Sequence, residues 1–387
     1  MLTKDIVYQI AKYVDPITLD NMMCVNMTFK LAITDYINMI KKHILNHYNV
    51  DINNAHSLVH HVHLDIPDMY HRFKAIFLTQ SLIISKSMVS QFPTELPCLR
   101  KLDATKMHNL VAFNGNFPGL TELNLNSCMG LTSVSICAPM LQLAFFNNCI
   151  SLSSLDLSSA RIDQLHLRHC DHLLWLPLVD VRVLDISNSR NITNVPHKMQ
   201  DLEVLHCYDC KKLRTLPSHM DKLTTLNASN SKKIYAIPWH LPSLKYLTME
   251  NNNIFYLPVM SNIEVLNCQN SAYLKRIPSG LLKLKELYCG NSNHLEYIPY
   301  ELPQLNILVC NNNPKLLSLP KHLPCLYFLN CSNSNYIRYI PIKIQQSLTY
   351  LTCNKYQFRH ILNKIQVNYI DYNDHHFNFD SHSDDDN

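Results

Sequence analysis

Leucines recur along most of the chain at a period of about 21 residues. Residues 202–217 read LEVLHCYDCKKLRTLP, residues 284–299 read LKELYCGNSNHLEYIP, and residues 326–341 read LYFLNCSNSNYIRYIP. The shared template, LxxLxCxx(N/S/C)xxLxx(I/L)P, alternates apolar and polar positions around its second leucine, which is typical of a short strand with one buried face. The pattern predicts a repeat architecture in which successive coils stack and share one core.

The second leucine of each copy serves as a phase marker for the repeat. Thirteen markers lie 19 to 22 residues apart: Leu102, Leu123, Leu143, Leu165, Leu184, Leu205, Leu226, Leu247, Leu266, Leu287, Leu308, Leu329 and Leu351. An earlier, longer copy is marked by Ile76. Each marker predicts one strand, and parallel strands of successive coils lie about 4.8 Å apart.

Two further phases describe the corner and the return segment of the predicted coil. Five residues after the marker, a small side chain recurs that can satisfy backbone groups left unpaired by the turn. These corner residues are Cys128, Asn148, Cys170, Ser189, Cys210, Ser231, Asn252, Ser271, Ser292, Asn313 and Ser334. Proline recurs twelve residues after the marker, from Pro177 to Pro341. Because proline breaks helices, we predict extended or polyproline-like return segments.

The repeat resembles the leucine-rich-repeat family in its short, proline-ending form, over residues 73–356. The resemblance implies an α+β repeat fold, a leucine-rich-repeat solenoid with a parallel β-sheet on its concave face. We expect a small helical module at residues 1–45, a linker or cap at residues 46–72, and a polar, acidic, disordered tail at residues 357–387.

The chain's composition and charge exclude several classes of function. Only 5 glycines occur among 387 residues, and no dinucleotide-binding or P-loop motif is present. Lysine and arginine (34) barely exceed aspartate and glutamate (30), and no basic run exceeds two residues, so we expect no nucleic-acid partner. No apolar stretch is long enough to span a membrane, and the charged start (Lys4, Asp5, Lys12) is unlike a signal peptide. We therefore expect a cytoplasmic monomer. The Asn-, Ile- and Tyr-rich composition resembles that of proteins encoded by AT-rich genomes, including those of amoebae and their large DNA viruses, and a viral chain would act in host cytoplasm.

The many cysteines and histidines raise the alternative of a metal site, but the repeat accounts for most of the cysteines. Nine of the 14 cysteines fall at repeat phases, which predicts buried, reduced thiols. Histidines cluster in the 43–71 segment, at His43, His47, His60, His61 and His63. Zinc is conceivable there, but HVHLDI alternates as a capping strand would. We expect neither a metal nor a cofactor.

Residues 2–33 depart from the repeat and show helical periodicity at Ile6, Val7, Ile10 and Val14. Asp15 and Pro16 then predict the end of one helix and the start of the next. This segment resembles the F-box, a three-helix module that docks onto the Skp adaptor of cullin ubiquitin ligases. The resemblance implies an adaptor-binding surface at Leu2, Ile6, Val7, Ile10, Val14, Pro16, Leu19, Val25 and Phe29. The alternative is an amphipathic cap that seals the end of the solenoid.

Residues beside the marker leucines are expected on the open, concave face of the sheet. The column before the markers is mostly apolar and becomes more aromatic toward the carboxyl end, as a protein-binding surface requires. The candidate target-binding residues are Tyr246, Val265, Tyr288, Ile307, Tyr327, Phe328 and Tyr350. In the alternative interpretation, these side chains only stabilise the strands through cross-strand contacts.

The sequence favours a non-catalytic adaptor. We expect a substrate-recruiting subunit of a Skp–cullin–F-box ubiquitin ligase, in which the repeats bind a target protein and the F-box binds the Skp adaptor. The first alternative is a leucine-rich-repeat interaction scaffold whose amino-terminal helices are only a cap. An enzyme is a distant third, because each candidate catalytic serine, histidine or acid lies at a repeat position and none belongs to a recognisable catalytic motif.

Overall fold

The computed structural model describes residues 59–61, 81–83, 92, 96, 99–157, 160–197, 199–354 and 369–371. The F-box-like module at residues 1–45, with all nine candidate adaptor-binding residues, lies outside them, as does most of the predicted cap at 46–72. The described residues divide between Leu223 and Thr224 into two compact units, which we call the first and second units.

The first unit is built from eleven short strands, all paired in parallel. They are β1 (Val59–His61), β2 (Ser81–Ile83), β3 (Lys101–Asp103), β4 (Ala112–Asn116), β5 (Glu122–Asn124), β6 (Ser133–Cys137), β7 (Leu143–Phe145), β8 (Ser154–Asp156), β9 (Gln164–His166), β10 (Val183–Asp185) and β11 (Val204–His206). One sheet has the order β1-β2-β3-β5-β7-β9-β10-β11, and a second has the order β4-β6-β8.

The strand register confirms the repeat phase and corrects it at two places. In the third copy, Ala144 and not the expected marker Leu143 lies opposite Leu123 and is fully buried. Sequence alone could not decide between two adjacent apolar residues. The correction moves the corner of this coil from Asn148 to the buried Cys149, and Asn148 instead lies in the left-handed region, with φ of 61°.

The earlier copy is also shifted. Leu82 in β2 lies opposite Leu102, in the position predicted for a marker of the preceding coil. Ile76, the expected marker, is not among the described residues. Upstream, β1 pairs with β2 in the same parallel register, so the repeat reaches back into the segment expected to be a cap.

The second sheet of the first unit was not predicted, and the proline phase explains where it forms. Its strands align Asn114, Ser135 and Asp156, each twelve residues after a central residue of the main sheet. In the next coil that phase is occupied by Pro177. Because proline lacks an N–H and cannot donate to a ladder, the return segments pair as strands only in the coils without it.

The second unit contains eight strands and one short helix. These elements are β12 (Thr225–Asn227), β13 (Tyr246–Thr248), β14 (Val265–Asn267), β15 (Glu286–Tyr288), β16 (Ile307–Val309), β17 (Phe328–Asn330), α1 (Ile342–Gln345), β18 (Tyr350–Thr352) and β19 (Tyr369–Asp371). The strands pair in parallel in chain order. Ile370 of β19 lies opposite Leu351. At Tyr369–Asp371, therefore, the tail that was expected to be disordered contributes a strand.

The return segments of the second unit follow a period of three. From Ser231 to Ile237, and again from Ser271 to Ile277, every third residue is buried and the two between are exposed. Polyproline II has three residues per turn, so this burial period agrees with the predicted extended, proline-containing segments. In the described residues α1 is the only α-helix, and it occupies the last return segment.

One residue in each coil adopts a left-handed backbone conformation. It lies four positions after the central residue, with φ between 53° and 62°, and eight of the twelve are asparagine. They are Lys106, Ser127, Asn148, His169, Asn188, Asp209, Asn230, Asn251, Asn270, Asn291, Asn312 and Asn333. Asparagine tolerates this region better than most side chains do. The backbone N–H of the left-handed residue donates to the adjacent coil; for example, the Asn188 N–H donates to the Tyr208 carbonyl at 2.8 Å.

The corner side chains link adjacent coils, mainly by donating to carbonyl oxygens. The Cys128 thiol donates to the Ala104 carbonyl at 3.2 Å. Ser189 both donates to the Leu167 carbonyl, at 2.6 Å, and accepts from the Cys170 amide, at 2.9 Å. The expected role in satisfying amides is therefore only part of what these residues do, and most of the bonds go to carbonyls.

Buried cysteines follow the central leucines at the predicted phase. All twelve described cysteines are free, and ten are buried, including Cys268, Cys289, Cys310 and Cys331 of the second unit. Burial raises the pKa of Cys268 and Cys310 to about 12, because the thiolate would lose its hydration. These thiols pack as small apolar side chains in the core.

The left-handed position yields a test in the first unit. Asn188→Ala should lower the free energy of unfolding by roughly 1–2 kcal/mol, because a Cβ without a local hydrogen bond is disfavoured at φ of 62°. Asn188→Gly should retain most of the stability, since glycine adopts this conformation freely. Urea unfolding of both variants measures the difference. Equal stability, or a more stable alanine variant, would contradict the assignment.

Candidate interaction surface

Six of the seven candidate target-binding residues lie on strands of the second unit, and the seventh, Tyr327, directly precedes β17. In β13–β17 the central leucine is fully buried, and the residue before it is partly or fully exposed. None of the seven candidates is buried: Tyr246, Tyr327 and Tyr350 are exposed, and Val265, Tyr288, Ile307 and Phe328 are half-buried. We call this surface the strand face.

The strand face carries two apolar patches separated by a polar step. Ile307 lies opposite Phe328, which lies opposite Tyr350, and the rings of the latter two are 6.4 Å apart. Tyr246 and Val265 form the second patch. Cross-strand contacts of this kind stabilise a sheet as well as offering a binding surface, so the contacts agree with both interpretations of the column.

Glu286 occupies the step between the two patches. Its carboxylate accepts a hydrogen bond from the Tyr288 hydroxyl at 2.9 Å. Burial and this carboxylate raise the pKa of Tyr288, so the phenol stays protonated. On the strand face, the Tyr288 hydroxyl is therefore held by Glu286, while Ile307, Phe328 and Tyr350 present apolar surface.

Ion pairs line one edge of both strand arrays, two residues before the central position. In the second unit Lys285 contacts Glu264 at 2.7 Å. In the first unit Arg182 binds both carboxylate oxygens of Asp163, at 2.6 and 2.9 Å, and Glu203 at 3.3 Å. These pairs join neighbouring coils at exposed positions, where such bridges contribute little to stability.

A polar cluster on the first unit's strands was not predicted as a group. Asp185 lies between His166 and His206 on the adjacent strands, and only 6% of its surface is exposed. Its carboxylate accepts from the Ser187 amide at 2.9 Å and lies 3.6 Å from the Arg168 guanidinium. These residues lie on three successive coils, so their proximity depends on strand pairing that the sequence does not show.

Both histidines of this cluster, His166 and His206, have lowered pKa values. Burial lowers the pKa of His166 and of His206, while Asp185 opposes the shift in both and Arg168 adds to it. The His166 ring also stacks on Phe145, with centroids 4.9 Å apart. At neutral pH both imidazoles are therefore uncharged beside a single carboxylate.

Stability of the first unit should fall as these histidines protonate. Their folded pKa values lie below the unfolded value of about 6.5, so between the two values the unfolded chain binds more protons. The contribution is complete above about pH 6.5 and is lost as the pH falls through the folded pKa. His166→Gln combined with His206→Gln should reduce the loss of unfolding free energy between about pH 7 and pH 5.

The control for this test is His219→Gln, which removes an exposed histidine of the same unit. Because this side chain lies outside the Asp185 cluster, its substitution should not reproduce the effect of the double variant. An unchanged slope in the double variant, or an equal change in the His219 variant, would show that the two histidines do not carry the effect.

The described residues contain neither a cluster of metal ligands nor a membrane-spanning helix. No group of three or more histidine, cysteine, aspartate or glutamate side chains in that part of the chain could hold a metal ion. The zinc alternative concerned residues 43–71, whose side chains lie outside the description. Within the same described ranges, no helix is long and apolar enough to cross a membrane.

The chain resembles solved leucine-rich-repeat structures at low sequence identity. No family model and no curated protein matches it. YopM from Yersinia enterocolitica WA-314 is 18% identical, with a TM-score of 0.37, over 71% of this chain and 78% of that chain. The functional domain of InlJ from Listeria monocytogenes, which includes a cysteine ladder, is 16% identical, with a TM-score of 0.41, over 73% of this chain and 69% of that chain.

A leucine-rich-repeat protein from Bacteroides ovatus ATCC 8483 is 12% identical, with a TM-score of 0.32, over 68% of this chain and 92% of that chain. Identities of this size concern the fold alone. The register of the strands defines the class: in its described residues, each unit is a leucine-rich-repeat-like parallel β-solenoid with almost no helix.

Proposed function

We propose that the chain recruits target proteins to a Skp–cullin–F-box ubiquitin ligase. In this proposal the strand face of the second unit binds the target, and residues 1–45 bind the Skp adaptor. The observation that carries target binding is the Ile307–Phe328–Tyr350 patch, an apolar surface that is only partly buried on a regular array of strands. Aromatic side chains on such a surface are typical anchors of protein interfaces.

The rigidity of the strand face supports a binding role. All of its side chains except Tyr327 stand on a strand that pairs with neighbouring strands, and each of these lies beside a fully buried leucine. Little conformational freedom would be lost when a partner docks, and this lowers the cost of association. Flanking polar groups such as Glu286, Tyr288 and Asn330 would give the contact its specificity.

The adaptor half of the proposal rests on the sequence motif LTKDIVYQIAKYVDP and its apolar ridge. The mechanism is proximity: catalytic partners in the ligase transfer ubiquitin, and this chain raises the effective concentration of target lysines near them. The chain itself needs no cofactor or metal and acts as a monomer in a reducing, cytoplasmic compartment, where its many buried thiols stay reduced.

The second candidate function is an interaction scaffold that binds no Skp adaptor. The extension of the parallel register upstream to β1 favours this candidate, because the repeat needs a cap where its first coil ends. Both candidates use the strand face in the same way. They differ only in what residues 1–45 contact.

Adaptor binding separates these two functions. The full chain should co-purify with a Skp adaptor, and replacing Ile6, Ile10 and Leu19 with aspartate should abolish this binding because it places charge in the apolar ridge. The circular-dichroism strand signal of the repeats should remain. Absence of binding by the unaltered chain to adaptors from several eukaryotes would leave the scaffold as the function.

Target binding is tested by neighbouring residues with opposite orientation. Phe328→Ala should weaken binding of the principal co-purifying protein by about 2 kcal/mol if the ring is an anchor. Leu329 is fully buried in the same strand, and Leu329→Ala should instead lower the free energy of unfolding by about 2–5 kcal/mol. Pull-down yield per folded molecule and urea unfolding measure the two effects.

The contrary result is equally specific. If Phe328→Ala destabilises the unit and leaves binding per folded molecule unchanged, the column serves as packing surface. Target recruitment by the strand face would then be wrong, whatever the outcome of the adaptor experiment.

A further inference from the structure

The return segments of the second unit carry an exposed aromatic surface that the strand face does not explain. We call it the return face and define it by residues 232–240, 253–259, 272–279, 293–301, 314–322 and 335–343. Trp239 is 72% exposed and stacks on Tyr256, with centroids 5.6 Å apart. Phe255 is 52% exposed and stacks on Tyr273, at 5.2 Å. Tyr273 in turn lies 6.4 Å from His294.

These rings are not part of the core of the unit. Every third residue of a return segment already fills that role: Ile234, Ile237, Leu274 and Ile277 are at most 3% exposed. The rings occupy the outward positions between them. A contiguous exposed apolar surface of this kind marks an interaction site more often than it serves stability.

Lysine and arginine surround the rings. The return face contains eight such side chains, all exposed, and only two carboxylates, Glu296 and Glu301. The basic residues are Lys232, Lys233, Lys275, Arg276, Lys315, Lys321, Arg338 and Lys343. Lys321 lies over the Tyr300 ring at 6.0 Å. In the sequence these residues never form a run of more than two, and the stacking of coils collects them on one surface.

The return-face cations differ from those on the edge of the strands. Lys285 on that edge is paired with Glu264 of the preceding coil. Among the described residues, by contrast, none of the eight return-face cations forms an ion pair with a carboxylate. Their charge is therefore available to a partner, and it would attract an acidic one.

We propose that the return face binds an acidic segment of a partner protein that also carries apolar side chains. The acidic residues of the segment would form ion pairs with the return-face cations, and its apolar residues would contact the exposed rings. A protein segment suits this surface better than single-stranded nucleic acid, because the rings are stacked on one another. A base would have to separate Phe255 from Tyr273 to stack between them, whereas a peptide contacts the ring edges as they stand.

The surface is also prepared for association. Rings that already stack on a neighbour lose less side-chain freedom when a partner binds. The cations would speed the encounter and make it sensitive to salt. This role is separate from the proposed ligase function, since it involves neither residues 1–45 nor the strand face.

A random dodecapeptide library displayed on phage, selected on the full chain, tests the proposal. Selected peptides whose binding depends on the return face should combine aspartate or glutamate with aromatic or aliphatic residues. Lys275→Glu with Lys315→Glu should weaken such a peptide by about tenfold or more in fluorescence anisotropy, and raising the salt concentration should weaken it too. Phe255→Ala with Tyr273→Ala should weaken it independently.

The first unit supplies a control at the same repeat phases. The control variant combines Lys212→Glu with Arg214→Glu and reverses two exposed cations. Lys212 lies seven residues after its central leucine, as Lys315 does, and Arg214 lies nine residues after it, as Lys275 does. This control should change peptide binding by less than about twofold. Thermal unfolding and circular dichroism establish that every variant folds, and glutamine replaces glutamate at Lys275 and Lys315 if the charge reversal does not.

Three outcomes would overturn the proposal. The first is that no selected peptide depends on Lys275 and Lys315, or that those that do lack acidic residues. The second is an equal loss in the first-unit control, which would indicate nonspecific attraction. The third is an oligouridine probe that binds more tightly than any selected peptide and is lost in the same variant, which would assign the surface to nucleic acid.

Discussion

Each coil must bring its central residue back into register with that of the coil before it, and the rest of the structure depends on this constraint. The register buries one leucine on the next, as between Leu287 and Leu308, and keeps the neighbouring side chains outward. Coil lengths vary, yet the left-handed residue after each strand recurs at one phase. That residue turns the chain out of the sheet and donates to the adjacent coil, so turning and stacking are achieved at the same position.

The sequence predicted the parallel solenoid because leucine spacing and burial are both local properties of one coil. It failed where a choice depended on the neighbouring coil. Leu143 and Ala144 are both apolar, and only pairing with Leu123 and Leu165 decides which of them is buried. The asparagine phase at φ near 60° is visible in the sequence one residue before the corner residue, but it was not among the predicted phases.

The candidate surfaces were predictable to different degrees. The strand face follows from alternation, so its members, from Tyr246 to Tyr350, could be named in advance. Three of them are exposed and four are half-buried, and their role in target binding stays a prediction. Charge clusters could not be named, because they join residues from different coils. Asp185 meets His166 and His206 only through strand pairing, and Lys275 and Lys315 share a surface only because coils stack. A search for basic runs along the sequence cannot detect such a surface.

Proline connects the fold to this difference in surface chemistry. Where the return segment lacks proline, as at Ser135, it pairs as a strand and its side chains alternate with a period of two. Where proline is present, the burial period is three, and two residues of every three face solvent. Consecutive side chains such as Phe255 and Tyr256, or Lys275 and Arg276, can then both be exposed. A strand would place one of each pair toward the core, so the proline phase is what allows rings and cations to be displayed side by side.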